Sequence, residues 1–234
     1  MNLFYAPELD QQTHYQLTEE ESTHCIKVLR MKIGDTLTLT NGNGVFLTGK
    51  VVVDHPKHCT LEIIERRLVA SPRSYRVHLA VAPTKNMTRY EWFLEKATEL
   101  GIDRITPLIC HHSERVHLRH DRLERIIIAA AKQSLSAYVP HLDEPISFNA
   151  FMDSCRAQQM FIAYVDENHQ LDLKHAVNPG QDVVILIGPE GDFSPKEIEL
   201  ALKTGYQPVS LGKSRLRTET AALAACMTVS ILND

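Results

Sequence analysis

Val183-Val184-Ile185-Leu186-Ile187-Gly188-Pro189-Glu190-Gly191-Asp192-Phe193-Ser194-Pro195-Lys196-Glu197 holds the unit from which most of this chain is built. Five aliphatic residues in a row read as a strand buried on both faces. A Gly-Pro-Glu-Gly turn follows, and Ser194 to Glu197 then form a capping box with proline at the first helical position. Gly205 stops the helix so opened. The same alternation recurs around this unit. Val77 to Ala82 is a strand, and the helix Thr88 to Leu100 sets Tyr90, Phe93, Leu94, Ala97 and Leu100 on one face before Gly101. Ile105 to Cys110 is a strand, Asp121 to Tyr138 a helix halted by Pro140, and Met160 to Val165 another strand. Gln207 to Leu211 and a helix from about Thr218 to Leu232 close the series. Strands alternating with helices predict a parallel sheet covered on both faces.

The first seventy or so residues differ. Thr36 to Thr40 alternates polar and apolar residues, Asn41-Gly42-Asn43-Gly44 tolerates positive φ, and Val45 to Val53 returns, which is a hairpin signal. Leu61 to Glu65 adds a strand. The chain therefore reads as a small β domain, residues 1–72, ending near Ala70-Ser71-Pro72, followed by an α/β domain, residues 73–234.

With 234 residues, 44% of them hydrophobic, and a net charge of -4, the chain is neither a disordered polyelectrolyte nor a disulfide-stapled miniprotein. No basic segment followed by a long apolar run opens it, and its longest apolar run, Ala221 to Met227, is too short to cross a bilayer. Five cysteines without a C-x-x-C pair fit reduced thiols, so a cytoplasmic protein without a membrane segment is expected. His111-His112, His117 and His120 form the densest histidine group, but adjacent histidines point apart and no H-E-x-x-H occurs, so no metal site is expected.

In parallel α/β sheets ligands bind beyond the carboxyl ends of the strands. Two loops there carry chemistry. Ile187-Gly188-Pro189-Glu190-Gly191-Asp192 lets backbone groups approach a ligand closely; a plain strand-to-helix turn is the other reading. It is neither a Walker loop nor a dinucleotide fingerprint. Leu211-Gly212-Lys213-Ser214-Arg215-Leu216-Arg217 packs three cations into five residues before Thr218-Glu219-Thr220 opens a helix. Either it is a solvated basic turn, or Arg217 and Glu219 belong to a site.

These loops, together with Glu95-Lys96-Ala97-Thr98-Glu99-Leu100-Gly101 and Ala131-Lys132-Gln133-Ser134, resemble the RsmE family, bacterial uracil-N3 methyltransferases of small-subunit ribosomal RNA within the SPOUT superfamily. His24-x-x-x-Val28-Leu29-Arg30 with Gly34-Asp35 resembles that family's PUA-like RNA-binding domain. The resemblance spans nearly the whole chain with its motifs in order. It implies an N-terminal PUA-like β-barrel, a SPOUT α/β domain with a C-terminal trefoil knot, and a homodimer. It further implies S-adenosylmethionine as cofactor, held by Ile187, Gly188, Gly191, Leu211, Gly212, Leu216 and Arg217, with Tyr164 near a third loop. Asp192 stands where the family usually has a second glycine, Lys213-Ser214 where it has Pro-Arg, and Ser136 and Tyr138 where arginine is common.

On this reading Arg217 stabilises charge developing on the uracil carbonyls, and Glu219 orients Arg217 or accepts the N3 proton. A target base paired or stacked in rRNA has to be exposed first. A ribose 2′-O-methyltransferase is the nearest enzyme rival, although Arg217-Thr218-Glu219 stands where Ser-Leu-Asn is usual; an RNA-binding module without a cofactor is the other. The partner would be 16S rRNA or the small ribosomal subunit, touched by Arg30, Lys32, Lys85, Arg89, Arg115 and Arg119. The charge is unevenly spread: residues 76–140 carry 10 basic against 7 acidic residues, residues 141–234 carry 7 against 13. Modest, steeply salt-dependent affinity for free RNA is the expectation.

Overall fold

A computed structural model describes residues 2–9, 11–70, 73–164 and 171–233. The expected domain end at Ser71-Pro72 and the last residue of the expected strand to Val165 lie outside the described residues. The chain forms two compact units, one of Met1–Pro72 with Ile128–Val139, the other of Arg73–Ile127 with Pro140–Asp234.

The first unit is a five-stranded sheet of β1 (Leu3–Tyr5), β2 (His14–Gln16), β3 (Thr36–Thr40), β4 (Val45–Val53) and β5 (Thr60–Leu68), in the order β1-β3-β4-β5-β2. β1 runs parallel to β3 and every other pair is antiparallel. The β3–β4 hairpin forms as its alternation predicts, with Gly42 at φ +79 and Gly44 at φ +84 in the turn. A short α1 (Glu19–Thr23), capped by Thr18, runs into a π-helical turn over His24–Val28. Phe4, Leu39, Leu47, Val51 and Leu61 close the core with Cys25 and Cys59.

One helix is shorter than its sequence suggests. It ends at Gln133, not Tyr138: Leu135 turns left-handed at φ +55, and Ala137 and Tyr138 are drawn into the hairpin instead. Gly44 N and Thr40 Oγ1 both donate to Ala137 O, at 2.9 and 3.0 Å, and the Tyr138 hydroxyl donates to Val69 O at 2.8 Å. Ser136 Oγ bonds the Tyr138 backbone from both sides. The two positions where the resemblance leads one to expect arginine thus serve packing.

The second unit holds a sheet whose paired strands are all parallel: β6 (Val77–Val81), β7 (Arg104–Ile109), β8 (His141–Leu142), β9 (Ile146–Ser147), β10 (Gln159–Ala163), β11 (Leu171–Asp172), β12 (Val183–Ile187) and β13 (Gln207–Ser210). The order is β11-β13-β10-β12-β6-β7-β8, with β9 also on β7. The helices are α2 (Met87–Glu99), α3 (His120–Gln133), whose part from Ile128 on belongs to the first unit, α4 (Phe148–Ser154), α5 (Leu173–Ala176), α6 (Pro195–Lys203) and α7 (Thr218–Asn233). Side chains alternate across a strand. Ala80, Ala82, Leu108, Ile162, Val184 and Leu186 accordingly share one core with Phe148 and Phe151 of α4 and Ala201 of α6, while α2 and α7 pack together and α7 lies against β6 and β12. All five residues of β12 are buried, as an uninterrupted aliphatic run requires.

At the amino ends of β6 and β7 the core turns polar. His78 Nε2 lies 2.7 Å from Thr106 Oγ1, Thr106 donates to Asp143, and Arg104 grips Asp143 through Nε and Nη2 at 2.8 and 2.9 Å. Burial, helped by the Arg104 charge, pushes the His78 imidazole down to about 4. Burial works to raise the Asp143 carboxyl, but hydrogen bonds from Arg104 and Thr106 outweigh it and hold it below its usual range.

Candidate active site

The loops that leave β10, β12 and β13 converge on one cavity of about 640 Å³ beyond the carboxyl ends of those strands. Tyr164, Ile187, Gly188, Leu211, Gly212, Leu216 and Arg217, singled out from sequence, all line it. Gly191 does not: a Cβ there would meet the His112 side chain at 3.1 Å, so its missing side chain makes room for a neighbouring loop. Gly188 is constrained similarly, since a Cβ would approach the Phe193 ring at 3.1 Å and Phe193 N at 3.3 Å. Gly212 stands at φ +97 with open space around it, so its backbone conformation is what calls for glycine.

Asp192 adopts φ +62, a conformation in which side chains are disfavoured but Asp is among the more tolerant. Its Oδ1 accepts from Phe193 N at 2.8 Å. A glycine habitually found at such a position is thereby explained. The loop is braced by residues the sequence did not single out for it. Glu197, buried as the capping-box carboxylate of α6, accepts from Ser194 N through one oxygen and from His111 N through the other, both at 2.8 Å. His112 Nδ1 lies 3.0 Å from Asp192 O. The available signal was position: His111-His112 follows β7, at the end of the sheet where ligand loops gather.

Thr218 ties the two main loops together, donating from Oγ1 to Gly188 O at 2.9 Å. Glu219 is buried in the first turn of α7, where the helix dipole favours its negative charge. The cation within 4 Å of it is Arg89 of α2, at 3.9 Å; no ion pair among the described residues joins Glu219 to Arg217, which is exposed. Lys85 N donates to Glu190 Oε1 at 2.9 Å, Lys85 Nζ pairs with Glu114, and Arg115 reaches Lys85 O at 3.4 Å. Lys85 and Arg89 therefore approach Glu190 of the cavity wall and Glu219, while Arg115 and Arg119 lie by the start of α2 with Asn86 and Met87. Arg30, at φ +56, and Lys32 are exposed in the first unit. Among the described residues no cluster of three His, Cys, Asp or Glu is placed to hold a metal, and no helix is long and apolar enough to cross a membrane.

A cavity built by backbone turns, apolar walls from Ile187, Leu211 and Leu216, and charges of both signs suits a zwitterionic nucleoside cofactor such as S-adenosylmethionine. Residues 71–230 match the RNA methyltransferase domain family and residues 17–64 the RNA methyltransferase PUA domain, which sets the chain among the RNA methyltransferases. A ribosomal RNA small subunit methyltransferase E of Synechocystis is 30% identical over 98% of this chain and 77% of its own length. A "probable rRNA-methyltransferase" of Porphyromonas gingivalis is 43% identical, covers 100% of this chain and 98% of its own, and superposes with a TM-score of 0.92. The enzyme E of Neisseria gonorrhoeae, solved bound to S-adenosylmethionine, is 28% identical over 100% of this chain and 98% of its own, with a TM-score of 0.86. The chain belongs to the ribosomal RNA small subunit methyltransferase E family.

Proposed function

We propose that this chain methylates N3 of a uridine in 16S rRNA of the small ribosomal subunit, using S-adenosylmethionine. The observation that carries the reading is the single cavity formed by the three strand-end loops, with Arg217 on its wall and the buried Glu219 beside it, in a member of this family. The bound cofactor supplies a methyl group on a sulfonium, a good leaving group, so positioning contributes much of the acceleration. Ile187, Gly188, Leu211, Gly212 and Leu216 hold the donor, with Tyr164 at the rim. Arg217, whose guanidinium no carboxylate neutralises among the described residues, stabilises negative charge on the uracil carbonyl oxygens. Glu219 accepts the N3 proton; orienting Arg217 is the weaker reading, since no ion pair among the described residues joins the two and the cation near Glu219 is Arg89, at 3.9 Å.

Several further features belong to this reading. Residues 1–72 act as a PUA-like RNA-binding barrel that presents Arg30 and Lys32, supported by the five-stranded sheet and the match over residues 17–64. Residues 73–234 act as the methyltransferase domain, with Lys85, Arg89, Arg115 and Arg119 meeting the substrate strand. A trefoil knot is supported by the chain path, for β10 lies between β12 and β13, and α7 leaves β13 to pack on β12 and β6. A homodimer is supported by exposed apolar groups on two helices that pack together, Trp92 on α2 and Met227 and Ile231 on α7. The enzyme would work in the cytoplasm, where small subunits are assembled.

Mass-spectrometric mapping of rRNA from a deletion strain, with and without this chain restored, tests the reaction. One uridine in 16S rRNA should gain a base methyl only when the chain is present. A methyl on ribose would favour the 2′-O alternative. Failure to bind S-adenosylmethionine in calorimetric titration would favour an RNA-binding module.

A further inference from the structure

Next to the methylation cavity, and sharing no lining residue with it, the start of α2 and the loop after β7 enclose a second cavity of about 240 Å³. Its lining includes the apolar Met87, Leu118 and Leu123 and the three arginines Arg115, Arg119 and Arg122. The three arginines are not equivalent. Arg122 is committed, for its Nε and Nη2 meet the two oxygens of Glu91 at 2.7 and 2.9 Å, which fixes it as a wall. Arg115 makes one long bond, at 3.4 Å, to Lys85 O. Arg119 reaches Asp121 at 3.9 Å, with both side chains exposed, an arrangement that holds an arginine weakly. Two guanidiniums with most of their donors unspent among the described residues therefore face one small cavity. Their forked donors match a phosphate's oxygens better than any neutral group.

Position identifies which phosphate. Lys85 separates the two cavities: its N–H donates to Glu190 of the methylation loop, and its C=O accepts from Arg115 of the second cavity. Four residues on, Arg89 comes within 3.9 Å of Glu219. An RNA strand that set one base in the first cavity and ran its backbone over Lys85 would meet the second cavity next. A volume of 240 Å³ takes a sugar-phosphate rather than a bare ion.

We infer that this second cavity is a phosphodiester subsite in which Arg115 and Arg119 clasp the backbone phosphate of a nucleotide next to the uridine being methylated. The inference rests on the proposed reaction for the identity of that uridine, not for the existence of the subsite. Holding the neighbouring phosphate fixes the strand while the target base is turned out of its stack.

The test uses the full chain, its Arg115→Ala/Arg119→Ala variant, and a fluorescent single-stranded RNA with one central uridine. In a series of such RNAs a single phosphodiester at a time is replaced by an uncharged methylphosphonate, and binding is read by anisotropy at low salt. In the wild-type chain one replacement beside the uridine should weaken binding about tenfold. In the variant that same replacement should have no further effect, and the slope of log affinity against log salt should fall by about 0.7, the loss of one phosphate contact on a single strand. Arg115→Gln and Arg119→Gln, which keep size and polarity, should each give part of the effect, separating lost charge from lost folding. Identical position profiles in variant and wild type overturn the inference, as does a wild-type profile with no preferred position. A preferred position that disappears in the variant, with no methyl transfer to small subunits, would remove the proposed reaction and leave the phosphate subsite standing.

Discussion

The two ends of the parallel sheet in the second unit carry polar side chains in opposite states. At the amino ends, His78, Thr106, Arg104 and Asp143 satisfy one another through hydrogen bonds, and His141 adds a further contact to Asp143 at 3.1 Å. At the carboxyl ends, Lys213, Arg215 and Arg217 enter no ion pair among the described residues, and Glu219 has one cation at 3.9 Å. One sheet thus carries a closed network at the amino ends of β6 and β7 and, in the loop after β13, a set of unspent charges beside the braced loop after β12. A closed network adds stability and has nothing left to offer a ligand. Charges left open at a cavity contribute little to folding and are available for chemistry.

The sharpest way to break that comparison is to cut each end. Arg217→Ala and Glu219→Gln should each slow single-turnover methylation by about 10² to 10³, the usual loss when one stabilising group is removed. Both variants should unfold within about 1 kcal/mol of the wild type, since Arg217 is exposed and Glu219 has only a helix terminus and a distant cation to lose. Near-normal rates in both would remove them from the chemistry. Asp143→Ala should do the reverse. It takes away the acceptor of the Thr106 hydroxyl and releases Arg104, leaving Thr106 and His78 bonded to each other, so denaturant unfolding should show a loss of about 2–3 kcal/mol, discounted because the Arg104 side chain is 53% exposed. Its turnover per folded molecule should stay near that of the wild type; a hundredfold drop would mean that the amino end takes part in catalysis.

The amino end also predicts a pH dependence. His78 has a folded value of about 4 against 6.5 for the free side chain, so between these limits the unfolded chain binds the extra proton. Stability from this group is complete above about pH 6.5 and falls as pH drops toward 4. The depressed Asp143 carboxyl adds a loss at still lower pH. A shift from 6.5 to about 4 corresponds to somewhat more than about 3 kcal/mol when fully expressed. His78→Gln should flatten the stability profile between pH 6.5 and 4.5, measured by urea unfolding. An unchanged slope would place the titrating group elsewhere.

The sequence made the parallel sheet legible because its elements announce themselves locally. The aliphatic run of β12 and the capping box of α6 appear at Val183–Ile187 and Pro195–Lys203 as the residues dictate. Long-range pairings were less visible. β1 and β2 are three residues each, and β8, β9 and β11 only two, too short for any period to register. The end of α3 is hidden in the sequence because Ala137 and Tyr138 continue a helical pattern, while their bonds go to a hairpin far away along the chain. At the site, cavity-lining residues were legible from loop composition. The bracing by Glu197, His111 and His112 was not, since it joins loops that follow different strands.

Asp192 gives the smallest and most specific prediction. At φ +62 an ordinary L-residue is strained by about 1 kcal/mol or more, and glycine is free of that strain. Asp192 offsets part of it with the bond from Phe193 N to its own carboxylate. Asp192→Gly would lose that bond and add freedom to the unfolded chain, but it would also relieve the strain, so the net cost should stay below about 1 kcal/mol. Asp192→Ala would lose the bond and keep the strain, for a cost of about 1–2 kcal/mol. Denaturant unfolding of the two variants should therefore rank glycine above alanine, although alanine is the better residue almost anywhere else in a chain. Equal costs would show that the carboxylate matters and the backbone angle does not. The ranking would then give no reason for glycine at this place in the family, and the turn beside the cavity would owe its shape to side-chain bonds, as the network at the other end of the sheet does.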